Sequence, residues 1–269
     1  MARIIFLGTA GSSAVASKQL RSSGGIILQF EDLQFHIDPG PGSLQKAKEY
    51  GVSLNHTTAV LVSHNHMNHC NDLNIVVEAM THGGLEHRGV IAAAKSVVTS
   101  LDGGHPFLSQ YHQSLVEKII PLDKNHKIGI DLVEINALPA NHTDKTAVGF
   151  KFFCPRFTVS YTGDTMMTPQ LVDSLMGSDV LILNVPYPGD KAEGKNLDSA
   201  AAIQIISKVQ PKLTVITHFG LEMLKADPLQ EAREIQRITG IQTIAAQDGL
   251  VISPESYGDY KGPVKGYQN

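Results

Sequence analysis

The hexapeptide His64-Asn65-His66-Met67-Asn68-His69 places three imidazoles in one short loop, directly after the apolar run Ala59-Val60-Leu61-Val62-Ser63. Imidazole is the commonest protein ligand for zinc and its neighbours, and three crowded imidazoles repel one another once protonated unless a cation holds them together. The chain is therefore expected to carry a metal-binding loop fed by a buried strand.

The rest of the sequence bounds what surrounds that loop. With 269 residues, 42% of them hydrophobic, the chain is long enough to bury a sizeable core as one large domain or two intimate halves. A net charge of −4 argues against broad phosphate neutralisation, although a local basic groove stays open. The two cysteines, Cys70 and Cys154, form no CxxC pair, so neither a disulfide framework nor a thiolate zinc site is indicated and a reducing, cytoplasmic setting is expected. The opening apolar run reaches Gly8 too soon for a signal-peptide core, and no stretch is long enough to span a membrane.

Short β-branched runs predict strands at Arg3 to Leu7, Gly25 to Phe30, Gln34 to Asp38, Ala59 to Ser63 and Gly89 to Ala93. Later ones fall at Asp131 to Leu138, Ala147 to Phe153, Phe157 to Tyr161, Val180 to Asn184, Leu213 to Thr217 and Thr243 to Ala245. Helical patterns cover Ser43 to Tyr50, Asn71 to Met80, Pro169 to Gly177, Ser199 to Val209 and Asp227 to Thr239. This order predicts mixed sheets covered by outer helices. The glycine-rich stretch from about 81 to 122, with His82, His87, His105 and His112, reads as a mobile insertion in a single domain spanning 1–269; its histidines read as surface residues, His105 being the hardest to dismiss. The segment after Pro254 reads as a surface tail.

Polar residues stand at four further strand ends: Asp38 before Pro39-Gly40, His142 after Asn141, Asp164 after Gly163, and His218 after Thr217. Each alone reads as a turn, a cap or a structural histidine; their joint order reads as a site. Taken together with the histidine loop, they resemble the metallo-β-lactamase superfamily over nearly the whole chain. The opening Phe6-Leu7-Gly8-Thr9-Ala10-Gly11-Ser12 and the segment His36-Ile37-Asp38-Pro39-Gly40-Pro41-Gly42 look most like its ribonuclease Z and cyclic-phosphodiesterase branch.

The resemblance implies a four-layer αββα sandwich of two mixed β-sheets and a one- or two-zinc centre, with manganese or iron as alternatives. By it, the family's HxHxDH loop falls on His64, His66, Asn68 and His69; His64, His66 and His142 would hold one metal, His69, His218 and the position of Asn68 a second, and Asp164 would bridge them. Asp38 would sit behind the loop, accepting hydrogen bonds that fix ligand orientation. The expected activity is metal-dependent hydrolysis, favouring a phosphodiester in a small anionic or nucleotide-like substrate, attacked by a metal-bound hydroxide near Asp164, with Asn68 and Asp164 as the groups closest to the chemistry. Ester, thioester or lactone hydrolysis, and ligand binding without turnover, are the alternatives; a homo-oligomer is possible.

Two features depart from the family pattern. Asn68 stands where the family has aspartate, so a second cation meets no added negative charge and a family-type general acid is lost. Three readings of Asn68 stand open: a natural one-metal or weak-two-metal variant, a natural protein that binds without turning over, and a deliberate substitution made to trap a complex. Between Asn184 and Ala200 there is no histidine, and no basic arm for gripping transfer RNA is recognisable, so RNA is not the favoured substrate. Lys191, Lys195 and Tyr187 remain candidates for contacting an anion.

Overall fold

The computed structural model describes residues 1–101 and 103–259. The chain divides into two compact units, Met1–Asp123 with Gln247–Ile252, and Lys124–Ala246 with the segment from Ser253. Each is built around one seven-stranded mixed sheet.

In the N-terminal unit, β1 (Arg3–Gly8), β2 (Ser23–Phe30) and β3 (Leu33–Ile37) form an antiparallel meander. The sheet then continues in parallel through β4 (Ala59–Val62), β5 (Val90–Ala94) and β6 (Lys118–Leu122). The parallel part needs crossovers, which are supplied by α2 (Ser43–Glu49), α3 (Met67–Cys70), α4 (Leu73–Met80), α5 (Lys95–Val98) and α6 (Gln110–Gln113); α1 (Ser13–Ser17) precedes β2. Every residue of β4 is buried, as a strand covered on both faces requires. Leu73, Val76, Val77 and Met80, spaced three and four apart on α4, pack with Val60, Val62 and Ile91 of the sheet. Burial of each such aliphatic side chain contributes roughly 1.5–3 kcal/mol.

The second unit repeats this plan. Its meander is β7 (Lys127–Ile130), β8 (Val133–Pro139), β9 (Val148–Cys154) and β10 (Phe157–Tyr161); the parallel strands are β11 (Val180–Asn184), β12 (Leu213–Thr217) and β13 (Thr243–Ala245). The intervening helices are α7 (Pro169–Leu175), α8 (Ser199–Val209), α9 (Leu221–Ala226) and α10 (Pro228–Thr239). Thr168 caps α7 by accepting from Leu171 N, with Pro169 at the first helical position, and Asp198 caps α8 by accepting from Ala201 N. The chain then returns to the first sheet, where β14 (Val251–Ile252) pairs with β1.

The stretch 81–122 contains β5, close to the strand expected at Gly89 to Ala93, and β6, both members of the sheet. β6 escaped the sequence reading because Glu117, Lys118 and Pro121 break its apolar pattern. That composition is tolerated because β6 is the outermost strand, where a missing N–H costs no ladder hydrogen bond. His82, His87 and His105 are exposed, while His112 is held between Ser109 Oγ at 2.6 Å and Glu78 Oε1 at 3.2 Å. The segment after Pro254 also differs from a plain tail at its start. Pro254–Ser256 forms a buried-sided 3-10 turn, and Glu255 pairs with Arg156 at 3.3 Å. Tyr260 and Tyr267 lie outside the described residues. No helix among the described residues is long and apolar enough to cross a membrane.

One interior group makes stability depend on acid. His36 on β3 is fully buried, faces Gly24 O with Nε2 at 2.8 Å, and leaves Nδ1 with no hydrogen-bond partner among the described residues. Burial pushes its pKa down from 6.5 to about 4, against smaller opposing effects of the Gly24 hydrogen bond and of Asp38 and Asp72. The unfolded chain therefore takes up this proton first, so the stability present above pH 6.5 falls as pH drops towards about 4. The loss amounts to roughly 3 kcal/mol at about 1.4 kcal/mol per unit. His36→Gln keeps an amide donor for Gly24 and removes the titration. Denaturant melts between pH 7 and 4 should show a shallower pH slope for this variant; identical slopes would contradict the assignment.

Candidate metal centre

β3 and β4 are parallel neighbours with Ile37 opposite Leu61, so the residues that follow them emerge side by side at one sheet edge. This is where open α/β sheets place their ligands. Asp38 leaves β3 in the left-handed region, with φ of 53°, and is buried. Its Oδ1 accepts from Ser63 N at 2.7 Å, and its Oδ2 accepts from Ser63 Oγ at 2.7 Å and from His69 Nδ1 at 2.9 Å.

These contacts fix the ring nitrogens. A carboxylate only accepts, so His69 Nδ1 carries its proton and Nε2 is the basic nitrogen. Ser63 spends its hydroxyl proton on Asp38 and offers a lone pair to His64 Nδ1 at 3.0 Å, which leaves His64 Nε2 basic as well. His64 Nε2 faces His66 Nδ1 at 2.9 Å. The three rings cluster, with centroids 4.6 Å apart for His64 and His66 and 4.1 Å for His64 and His69. Two ligand nitrogens on a tetrahedral zinc stand about 3.3 Å apart, given bonds of about 2.0–2.1 Å. The close approach of His66 Nδ1 to the basic Nε2 of His64 fits a shared cation.

The loop is braced from behind. α3 is a single turn whose His69 N donates to His66 O at 2.9 Å, and Cys70 Sγ, fully buried, donates to the same carbonyl at 3.2 Å. Cys70 thus packs beneath the loop. Gly40 must be glycine, because a β-carbon there would lie 2.1 Å from Asn68 O and 2.4 Å from Ser23 O. Asn68 itself is half-buried on α3.

The second unit holds its own cluster. β8 runs in the direction of β10, and β10, β11 and β12 are parallel, so His142, Asp164, Asn184 and His218 all leave the carboxyl ends of strands at one edge. His142 Nε2 lies 3.8 Å from Asp164 Oδ2, and His218 Nε2 lies 3.3 Å from Asp164 Oδ1. Each carboxylate oxygen thus faces a different imidazole. His142 Nδ1 donates to Lys195 O at 2.9 Å, which leaves its Nε2 basic. The loops bearing these residues are tied together, with Asn141 N donating to Thr165 Oγ1 at 2.9 Å and Met166 N donating to Asn141 O at 3.0 Å. His218 adopts the left-handed region, with φ of 64°, an uncommon conformation for a residue other than glycine.

The structure therefore brings His64, His66, His69 and Asp38 together in one unit and His142, Asp164 and His218 together in the other. Sequence reasoning passed over Asn184, whose Nδ2 donates to Asp164 Oδ1 at 2.7 Å and to Tyr161 Oη at 3.1 Å. Its position at the end of the apolar run Val180–Asn184, like the other site residues, was the available signal.

Residues 34–219, from β3 to just beyond His218, match the family described as a beta-lactamase superfamily domain. The chain belongs to the metallo-β-lactamase superfamily. An uncharacterised protein of Methanocaldococcus jannaschii is 33% identical over 251 residues, covering 93% of this chain and 94% of its own. Among solved structures, the metallo-β-lactamase fold protein YhfI from Bacillus subtilis superposes with a TM-score of 0.77 at 18% identity, covering 93% of this chain and 98% of that one. A diphosphatase of the PhnP family gives 0.68 at 18% identity, covering 94% and 98%. The short form of human tRNase Z gives 0.67 at 17% identity, covering 94% and 99%. The two seven-stranded mixed sheets with their flanking helices are the metallo-β-lactamase fold, as the sequence led one to expect.

Proposed function

We propose that this superfamily member is a metal-dependent hydrolase that cleaves phosphodiesters in a small anionic or nucleotide-like substrate. What carries the reading is the pair of clusters at strand ends, in which His64, His69 and His142 each keep one ring nitrogen basic through a hydrogen bond on the opposite side of the ring. Family membership supports the hydrolase class, and the likeness to a diphosphatase and a tRNase Z favours phosphorus over carbon as the centre attacked.

In this reading His64, His66 and His142 would be ligands to one metal, His69, His218 and Asn68 to a second, and Asp164 would serve both. Zinc suits this imidazole-rich set, with manganese or iron as alternatives. Such cations, when bound, would activate water and stabilise the charge that develops on the phosphoryl oxygens and on the departing alkoxide. The chain's own contribution is orientation: Asp38 holds His69 directly and His64 through Ser63, and the Lys195 carbonyl holds His142. Asn68 carries no acidic proton, so a leaving group would depart without a general acid from that position. Substrates with good leaving groups, such as bis-aryl phosphates, are the expected preference.

The test is turnover of bis-aryl phosphates against aryl thioesters and lactones, with zinc, manganese or iron supplied in turn. Phosphodiester cleavage is expected, and His64→Ala should lose both most of its metal by mass spectrometry and its activity. Thioester or lactone turnover alone would move the substrate class, and a protein inert with every metal that still binds nucleotides would be a binder.

A further inference from the structure

We infer that Asn184 is a positioning residue for the metal centre, setting how firmly the His218-side metal is held by pinning the plane of Asp164. This rests on the proposed metal reading and adds a residue to it. Asn184 is buried at the end of β11, and its amide nitrogen reaches both Asp164 Oδ1 and Tyr161 Oη. The amide has only one workable orientation there, because a carboxylate oxygen needs a donor opposite it. Its two N–H bonds are thus shared between the carboxylate and the tyrosine.

The consequence follows from the split geometry of Asp164. Oδ1 faces His218 and Oδ2 faces His142, so rotation of the carboxyl plane would withdraw one oxygen from each side together. Asn184 resists that rotation from the Oδ1 side, while its own backbone is fixed by the β11 ladder to Thr217 and by donation from Asn184 N to Thr162 Oγ1 at 3.2 Å. The His218 side depends on this contact most. Asn184 and His218 both face Oδ1, whereas His142 faces Oδ2, which Asn184 does not touch.

The experiment uses cobalt-loaded protein, stripped stepwise with a chelator, and follows metal content together with the cobalt d–d absorption band. Wild type kept in excess cobalt, so that the weaker site is also filled, should release its two metals in separate steps, the His218-side metal first. Asn184→Leu, nearly isosteric but without a donor, should release the first metal at a roughly 10- to 100-fold lower chelator concentration, as is typical when a partner of a ligand is lost, with the second step shifted less than threefold. Tyr161→Phe, which keeps the ring packing and frees one anchor of the amide, should give a smaller shift in the same direction, and it tests the inference if the leucine variant does not fold. Release curves and spectra identical to wild type in these variants would overturn the role of Asn184 and leave the metal centre standing. A wild-type protein that retains no cobalt would overturn both.

Discussion

Asp38→Ala is expected to destabilise the protein by about 3–5 kcal/mol and to empty the metal loop. The carboxylate serves three donors: the backbone N–H and hydroxyl of Ser63, and the ring N–H of His69. Removing it strands buried donors, each costing roughly 1–3 kcal/mol, partly offset by relief from burying a charge. For a chain of this size that corresponds to a drop in melting temperature of roughly 10 °C. The ligand effect adds to this, since without Asp38 neither His69 nor, through Ser63, His64 is held in the tautomer that turns a basic nitrogen outward. Asp38→Asn should fall between, keeping one acceptor and tolerating the left-handed backbone well. Thermal melts and bound metal by mass spectrometry check both parts, and an alanine variant that melts as wild type with full metal would contradict them.

Asn68→Asp should act in the opposite direction, raising second-metal affinity at least tenfold, or about 1.4 kcal/mol. The two side chains have the same shape, and the Gly40 contact fixes the backbone of residue 68, so the change exchanges the amide donor for a charged oxygen at constant volume. That charge meets a cation otherwise facing an amide and the shared Asp164. After dialysis to constant metal content, the wild type should hold closer to one metal per chain and the variant closer to two. Equal occupancy before and after would defeat the charge argument. If the variant also gains turnover on diesters with poor leaving groups, the missing proton donor is confirmed as the second cost of asparagine at this position.

Strands and helices in the interior were legible from the residues because burial on both faces leaves unbroken apolar runs. Val180–Asn184 and Leu213–Thr217 coincide with the expected boundaries, as does α8. The strands passed over, β6, β7 and β14, all lie at or beside the rim of a sheet, where one side needs no partner and lysine, glycine or proline is tolerated. The candidate ligands were legible for a different reason. Histidine and aspartate at the ends of apolar runs keep their chemistry whatever the contacts, and their order along the chain carried the family.

The sequence by itself determined the two-sheet class, the histidine loop and the departure at Asn68, since these depend on residue type, local period and order. Only the tertiary structure decided that Asp38 serves Ser63 and His69, that Asn184 holds Asp164, and that His36 is buried beyond easy protonation. Those facts are contacts between residues some twenty or more positions apart, or the loss of water around a single ring. Neither leaves a mark on the local pattern of the chain, because the partner that gives each residue its role is chosen by how the strands align.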